Sequence, residues 1–269
     1  MIRVVLAGVT GWVGRALVPA IAAASDLKLV AAVSRKAAGR DAGEAIGAAP
    51  LGAMVFATMA EALSVPSDIV IDYTKPDAVG RNTLEAIAAG RHVVVGASGL
   101  GADDYAAIDQ AARAKNVGVL AAGNFSVTAT LLKRFTLQAA RYVPDVEIID
   151  YASAAKPDVP SGTGRELAEI LATLRGAPTS KPVDQLGGIP ATRGAAVGDG
   201  PHGGVRVHTV RMPSFVLSVE VVFGADNERL VIRHDAGSSA APYVAGTLLA
   251  VRRVAEQPGL RRGLDTIMD

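Results

Sequence analysis

Residues 5–17 read VLAGVTGWVGRAL. A short β-branched run, Arg3–Ala7, meets three glycines, Gly8, Gly11 and Gly14, and a helical stretch over Gly14–Ala24 follows at once. Glycine permits a tight turn and lets backbone N–H groups approach a pyrophosphate at a helix N-terminus. The spacing G-x-x-G-x-x-G is a variant of the dinucleotide fingerprint whose second glycine falls one place late. A purely structural strand-to-helix turn would use the same glycines, but the position at the opening of a βαβ unit favours nucleotide. Thr10, Trp12 and Val13 share the turn and join the cofactor candidates.

Further along, apolar runs at Leu27–Val33, Ile69–Tyr73, His92–Gly96 and Val117–Ala121 alternate with Ala-rich stretches of helical spacing at Ala78–Ala89 and Asp103–Lys115. Strands that are apolar nearly throughout, separated by helices, predict a Rossmann-like doubly wound parallel sheet covered on both faces. The pattern changes after AAGNFSV (121–127). A helix over Ser126–Tyr142, a strand over Val146–Tyr151 and a helix over Glu166–Leu174 precede a Gly- and Pro-rich segment, 176–204, read as a long loop or lid. Strands at Val205–Met212, Phe215–Phe223 and Glu228–His234 read as successive antiparallel neighbours of a second, α+β domain. The division expected is a dinucleotide domain over 1–124, a substrate-binding and oligomerisation domain over 125–240, and a C-terminal helix, 241–269, packing back on the first.

Composition narrows the class. A chain of 269 residues has room for one or two cores, and 50% hydrophobic with 4% aromatic residues leaves Ala, Val, Leu and Ile to build them. A net charge of +1, from 27 basic and 26 acidic residues, offers no footprint for nucleic acid or an anionic membrane. The absence of cysteine excludes disulfides and thiolate chemistry and fits a cytoplasmic protein. The apolar start reads as a core strand, not a leader, and no run approaches the roughly 20 apolar residues of a membrane helix. Four scattered histidines give no metal spacing.

The second strand ends in Ser34, Arg35 and Lys36, where a site for NADH places an acidic residue. A hydroxyl and two cations suit a 2′-phosphate, so NADPH is expected, with NADH as the alternative. Beyond the later strands, Tyr73 and Thr74, then Gly96, Ala97 and Ser98, lie where such sheets bind ligands, although turn residues alone would read the same.

These stretches, with AGVTGWVGR (7–15), DYTKPDA (72–78), VVGASGL (94–100), AAGNFSV, KPDVPSGTG (156–164), VHTVRMP (207–213) and RLVIRHDAGSS (229–239), resemble the dihydrodipicolinate reductase family along nearly the whole chain. The resemblance implies hydride transfer from NAD(P)H to a cyclic imine carboxylate, in lysine and diaminopimelate biosynthesis, by a homotetramer or homodimer. It places Asn124 and Phe125 with the cofactor, Lys156 beside the substrate as a proton donor or polarising group, and Ser161, Gly162 and Thr163 on a substrate carboxylate. Independently, Ser161 and Thr163 stand where a helix begins and where N–H groups favour an anion, although Ser161 also suits a plain helix cap.

The chain departs from the family pattern at the loop's start. Ala152 and Ser153 stand where two histidines are usual, and the first of those is regarded as the proton donor. Ser214 replaces a glycine, Leu217 and Ser218 fall in a segment that often contains histidine, and Trp12 replaces an arginine. Tyr151, Lys156, His202, His208 or water remain as proton sources. Arg211 reaches either the substrate pocket or a subunit interface, Glu147 and Asp150 flank a strand and need no special role, and His234 and Asp235 read as structural. Two alternatives stand beside the reductase: a diverged amino- or keto-acid dehydrogenase, and a non-catalytic NADPH-binding sensor or assembly protein.

Overall fold

The computed structural model describes residues 1–181, 185–186 and 193–268. The chain forms two compact units, Met1–Thr130 with Ser239–Asp269, and Leu131–Ser238.

The first unit is built on a seven-stranded sheet. Its elements are β1 (Ile2–Ala7), α1 (Trp12–Ala23), β2 (Leu27–Val33), α2 (Ala42–Ala45), β3 (Met54–Phe56), α3 (Met59–Ala62), β4 (Ile69–Asp72), α4 (Pro76–Ala88), β5 (His92–Val95), α5 (Ala102–Lys115) and β6 (Gly118–Ala121). After α6 (Val127–Ala139) and the second unit come α8 (Ala241–Arg253) and β12 (Gly259–Arg262). The strand order β3-β2-β1-β4-β5-β6-β12 is parallel throughout and reverses direction between β1 and β4. Such a switch point opens a crevice beyond the strand C-termini. Two apolar layers explain the uninterrupted apolar strands. Val4 and Leu6 of β1 face one layer with Leu17, Ile21, Ala250 and Val251, whereas Val5 and Ala7 face the other with Val79, Ile87 and Ile108.

The sheet has two more strands than the sequence suggests. β3 spans three residues, too few for periodicity to register. The tail is helical only through Arg253, with a 3-10 turn at Val254–Glu256, so the helix expected over 241–269 is corrected. Gly259–Arg262 leaves the helix as an edge strand beside β6, where Gly259 N–H donates to Val117 O (2.9 Å) and Leu260 N–H to Asp109 Oδ1 (2.8 Å).

The second unit contains β7 (Asp145–Ser153), α7 (Gly162–Leu174), β8 (Ala195–Val197), β9 (Val205–Met212), β10 (Leu217–Ala225) and β11 (Glu228–Ala236). Its sheet order is β11-β10-β7-β9-β8, with β7 and β9 parallel and the other pairs antiparallel. β9 and β10 are therefore not neighbours, contrary to the sequence reading, because β7 lies between them. The four-residue link 213–216 carries the chain past the end of β7, with Ser214 at φ 72°. That left-handed turn is where glycine is expected. Val146, Ile148, Val207, Val221 and Phe223 form the core with Leu167, Ala168 and Leu171 of α7. Part of the segment expected as a loop or lid, residues 182–184 and 187–192, lies outside the described residues, and within the rest β8 is a strand.

Candidate functional site

Register brings the ends of the first sheet into line. Ala7 pairs with Asp72, Asp72 with Val95, and Val95 with Ala121, so the residues after each strand share one end of the sheet. Gly8, Thr74, Gly96, Ala97, Ser98 and Asn124 all lie in these strand-end segments. Gly8 has φ +83°, and a Cβ there would sit 2.5 Å from Tyr73 O. On Gly14 a Cβ would lie 2.2 Å from Gly8 O, and on Gly11 3.0 Å from the same oxygen. Backbone approach, not only turn flexibility, thus demands the first and third glycines. Gly11 caps α1 without a side chain to occupy the first-turn N–H groups, and that turn, which includes Trp12 and Val13, holds no acidic residue. Free amides at the positive end of a helix favour an anion. The turn therefore fits a dinucleotide pyrophosphate on geometry as well as on motif.

Thr10 Oγ1 and Ser34 Oγ lie 3.0 Å apart and tie the turn to the end of β2. Next to them Arg35 and Lys36 are exposed, and among the described residues neither is in an ion pair. The structure gives other candidates a supporting part. The Tyr73 hydroxyl lies 2.7 Å from Thr247 Oγ1, which itself donates to Tyr243 O, so Tyr73 is the donor. Burial pushes the Tyr73 phenol up. Its ring packs edge-on against Phe125, at 1% exposure a core residue, and a Cβ on Gly96 would strike the Tyr73 ring at 2.2 Å. Thr74 donates N–H and Oγ1 to the buried Asp72 carboxylate (2.7 and 2.6 Å), which also accepts from Asn82 Nδ2 (2.9 Å). Burial raises the Asp72 pKa and these bonds oppose it. Asn124 Oδ1 accepts from Ser126 N–H (2.8 Å) and shapes the turn into α6. Trp12 is 56% exposed and meets Tyr243 edge-on at 5.5 Å. The part played by Thr247, Tyr243 and Asn82 escaped sequence reading because each lies on a helix, well separated in sequence from the strand end it serves.

The second unit carries the loop that leaves β7. Lys156 Nζ lies 3.0 Å from Asp158 Oδ1, and the ammonium holds that carboxyl below the usual range. Ser161 caps α7, accepting from Gly164 N–H (3.2 Å), while its hydroxyl donates to Asp150 Oδ1 (2.5 Å) and its N–H to Asp150 Oδ2 (2.8 Å). At 1% exposure Ser161 has its hydroxyl engaged inside the protein. Gly162 is exposed and Thr163 half-buried, and the first turn of α7 is free of acidic residues. One expectation is corrected: Asp150, expected to need no special role, is fully buried and organises the loop, and Arg211 pairs with it at 2.8 Å. Glu147 likewise binds His208 Nε2 (2.7 Å) and Arg193 (3.1 Å), which leaves His208 on the sheet and engaged. Ala152 is fully buried in the strand, so the first of the two substituted positions presents a methyl group to the core.

Comparison with known proteins agrees over the full length. A family model for the N-terminus of dihydrodipicolinate reductase matches residues 2–125, and one for the C-terminus matches 128–268. The 4-hydroxy-tetrahydrodipicolinate reductase of Synechococcus elongatus is 38% identical over 274 residues, covering 99% of this chain and 98% of that one. The enzyme of the same name from Listeria monocytogenes is 34% identical, covering 99% and 100%. A dipicolinate-bound dihydrodipicolinate reductase from a Paenisporosarcina species superposes with a TM-score of 0.87 at 27% identity, covering all of both chains. An amine dehydrogenase from Mycobacterium smegmatis shares the fold, with a TM-score of 0.66 at 15% identity and coverage of 97% and 94%. The glycine turn, the Lys156–Thr163 loop and both family matches lead to one conclusion: the chain belongs to the dihydrodipicolinate reductase family.

Proposed function

We propose that this protein is an NADPH-dependent reductase that delivers hydride to the C=N bond of a cyclic imine carboxylate, the 4-hydroxy-tetrahydrodipicolinate-type intermediate of lysine and diaminopimelate biosynthesis. The observation that carries the reading is the loop from Lys156 to Thr163, in which a lysine and a helix N-terminus with no acidic residue in its first turn are held together by a buried cap. When bound, NADPH supplies the hydride. The α1 turn holds its pyrophosphate, and Ser34, Arg35 and Lys36 hold the 2′-phosphate and exclude an acidic residue there. The engaged Ser161 hydroxyl leaves the substrate carboxylate to the first-turn amides of α7 and the Thr163 hydroxyl. Lys156 supplies an N–H donor to the acceptor. An acceptor that arrives as an iminium needs no further acid, which answers the missing histidines at Ala152 and Ser153. The protein works in the cytoplasm, a reading supported by the chain's lack of cysteine.

The test is NADPH oxidation with freshly generated acceptor. Turnover should be measurable in the wild type and fall about 10²–10³-fold in Lys156→Ala, the loss of one positioned hydrogen-bond donor. Tight NADPH binding with no turnover in the wild type would reject this acceptor. A second reading, a dehydrogenase retuned to a linear amino or keto acid, is favoured by the buried methyl of Ala152 where the family donor stands, and it would show as turnover on those acids alone.

We also infer a homotetramer or homodimer, joined through the second sheet. β11 is an edge strand on which Leu230 and Val231 are 47% and 48% exposed, and Val216 beside β10 is 45% exposed. Long apolar edges invite pairing unless covered. Light scattering should give two or four times the 27.4 kDa chain mass, and a monomer would reject the association.

A further inference from the structure

Between Lys156 and the start of α7 runs a short segment, 157–161, with no regular structure of its own. What holds it is buried beneath it. Asp150 sits on the inward face of β7, between Ile148 and Ala152, and is 0% exposed. A carboxylate at such depth is costly unless its charge and its lone pairs are met. Here both are. Ser161 gives its N–H and its hydroxyl, and Arg211 Nη2, from β9, lies 2.8 Å away. Arg211 also donates from Nη1 to Asp150 O (3.1 Å) and Val210 O (3.0 Å), and from Nη2 to Asp158 O (2.8 Å). α7 closes over the carboxylate at Gly164, where an added Cβ would lie 3.3 Å from Asp150 Cβ and Cγ. One ion pair therefore grips the segment at both ends, Asp158 through its carbonyl and Ser161 through its N–H and hydroxyl.

We propose that Asp150 and Arg211 are positioning residues for the acceptor, acting through Asp158 and Ser161 to set the separation between Lys156 and the anion-binding first turn of α7. The proposal rests on the acceptor site described above. Neither residue touches the acceptor, and the guanidinium's fixed fork is what lets one side chain hold a carboxylate and a carbonyl together. A lysine in its place would keep the charge and lose the second grip.

The experiment uses the full-length protein and three variants, Arg211→Lys, Asp150→Asn and Ser161→Ala. Amide hydrogen exchange over 154–164 is read without acceptor, and KM for acceptor and for NADPH are read separately. In Arg211→Lys the 154–164 amides should exchange faster and kcat/KM for the acceptor should fall about tenfold or more, because small misplacements near the chemistry are expensive. KM for NADPH should stay at the wild-type value, a split that general loss of structure would not produce. Wild-type protection of the segment in Arg211→Lys would overturn the proposal, as would a loosened segment with unchanged acceptor kcat/KM. Should Asp150→Asn fail to fold, Arg211→Lys and Ser161→Ala carry the same test. If the wild type itself turns over no cyclic imine, the acceptor assignment fails on its own, and the exchange data alone decide the positioning role: lost protection in the variants supports it, and retained protection overturns it.

Discussion

Single residues divide by whether their task is local. Gly8 is legible in the sequence because a residue at φ +83° facing Tyr73 O has to be glycine, and the motif records that demand. Arg35 and Lys36 stand as two exposed cations after β2, with no acidic residue beside them. If they read a 2′-phosphate, Arg35→Ala together with Lys36→Ala should weaken NADPH about tenfold or more, by the loss of charge-assisted hydrogen bonds, and leave NADH nearly unchanged. Isothermal titration with both nucleotides checks this, and equal losses for the two would mean that the cations are merely solvated. Asp150 is the opposite case. Its partners Ser161 and Arg211 lie 11 and 61 residues away, so nothing near it in the chain marks it as more than a strand residue.

Elements add constraints of their own. β5 and β6 are joined by their ladder and by His92, whose Nδ1 accepts from Gly118 N–H at 2.9 Å. That bond needs the neutral ring, and burial holds the His92 pKa below its ordinary value, against the pull of Asp68. The unfolded chain then binds the proton at higher pH than the folded one. Stability from His92 is complete above about pH 6.5 and is lost progressively as the pH falls below it. His234, lowered by burial in the same sense, adds to the slope. Thermal unfolding at pH 7.5 and 5.5 should show a drop at the lower pH that shrinks in His92→Gln, and an undiminished drop would assign the slope elsewhere. The pairing of β7 between β9 and β10 was out of reach of the sequence. Adjacent runs in the chain suggest a hairpin, yet the link 213–216 passes the end of β7 so that a strand from well before β9 in the chain fills the gap.

At the scale of the molecule, the C-terminal tail shows where reading along the chain ends. Residues 241–253 have helical spacing and are helical, but β12 has no pattern to announce it in four residues. It forms because β6 offers a parallel edge and Asp109 an acceptor for Leu260 N–H, and because the chain passes so close to β6 that a Cβ on Gly118 would lie 1.8 Å from Val254 O. Truncation after Glu256 should therefore cost at least about 3 kcal/mol and lower the unfolding midpoint by roughly 10 °C, a shift that calorimetry resolves. A tail that merely extended a helix would cost far less. The sequence by itself determined the doubly wound sheet, the glycine turn after β1 and the helix cap at Ser161, because apolar runs alternating with helical stretches, glycine spacing and a helix-cap signature are set by neighbours in the chain. Only the tertiary structure decided that Ser161 is spent on Asp150, that Arg211 clamps the loop, that β7 parts β9 from β10 and that the tail adds a strand, because each depends on groups that folding alone brings within hydrogen-bonding distance.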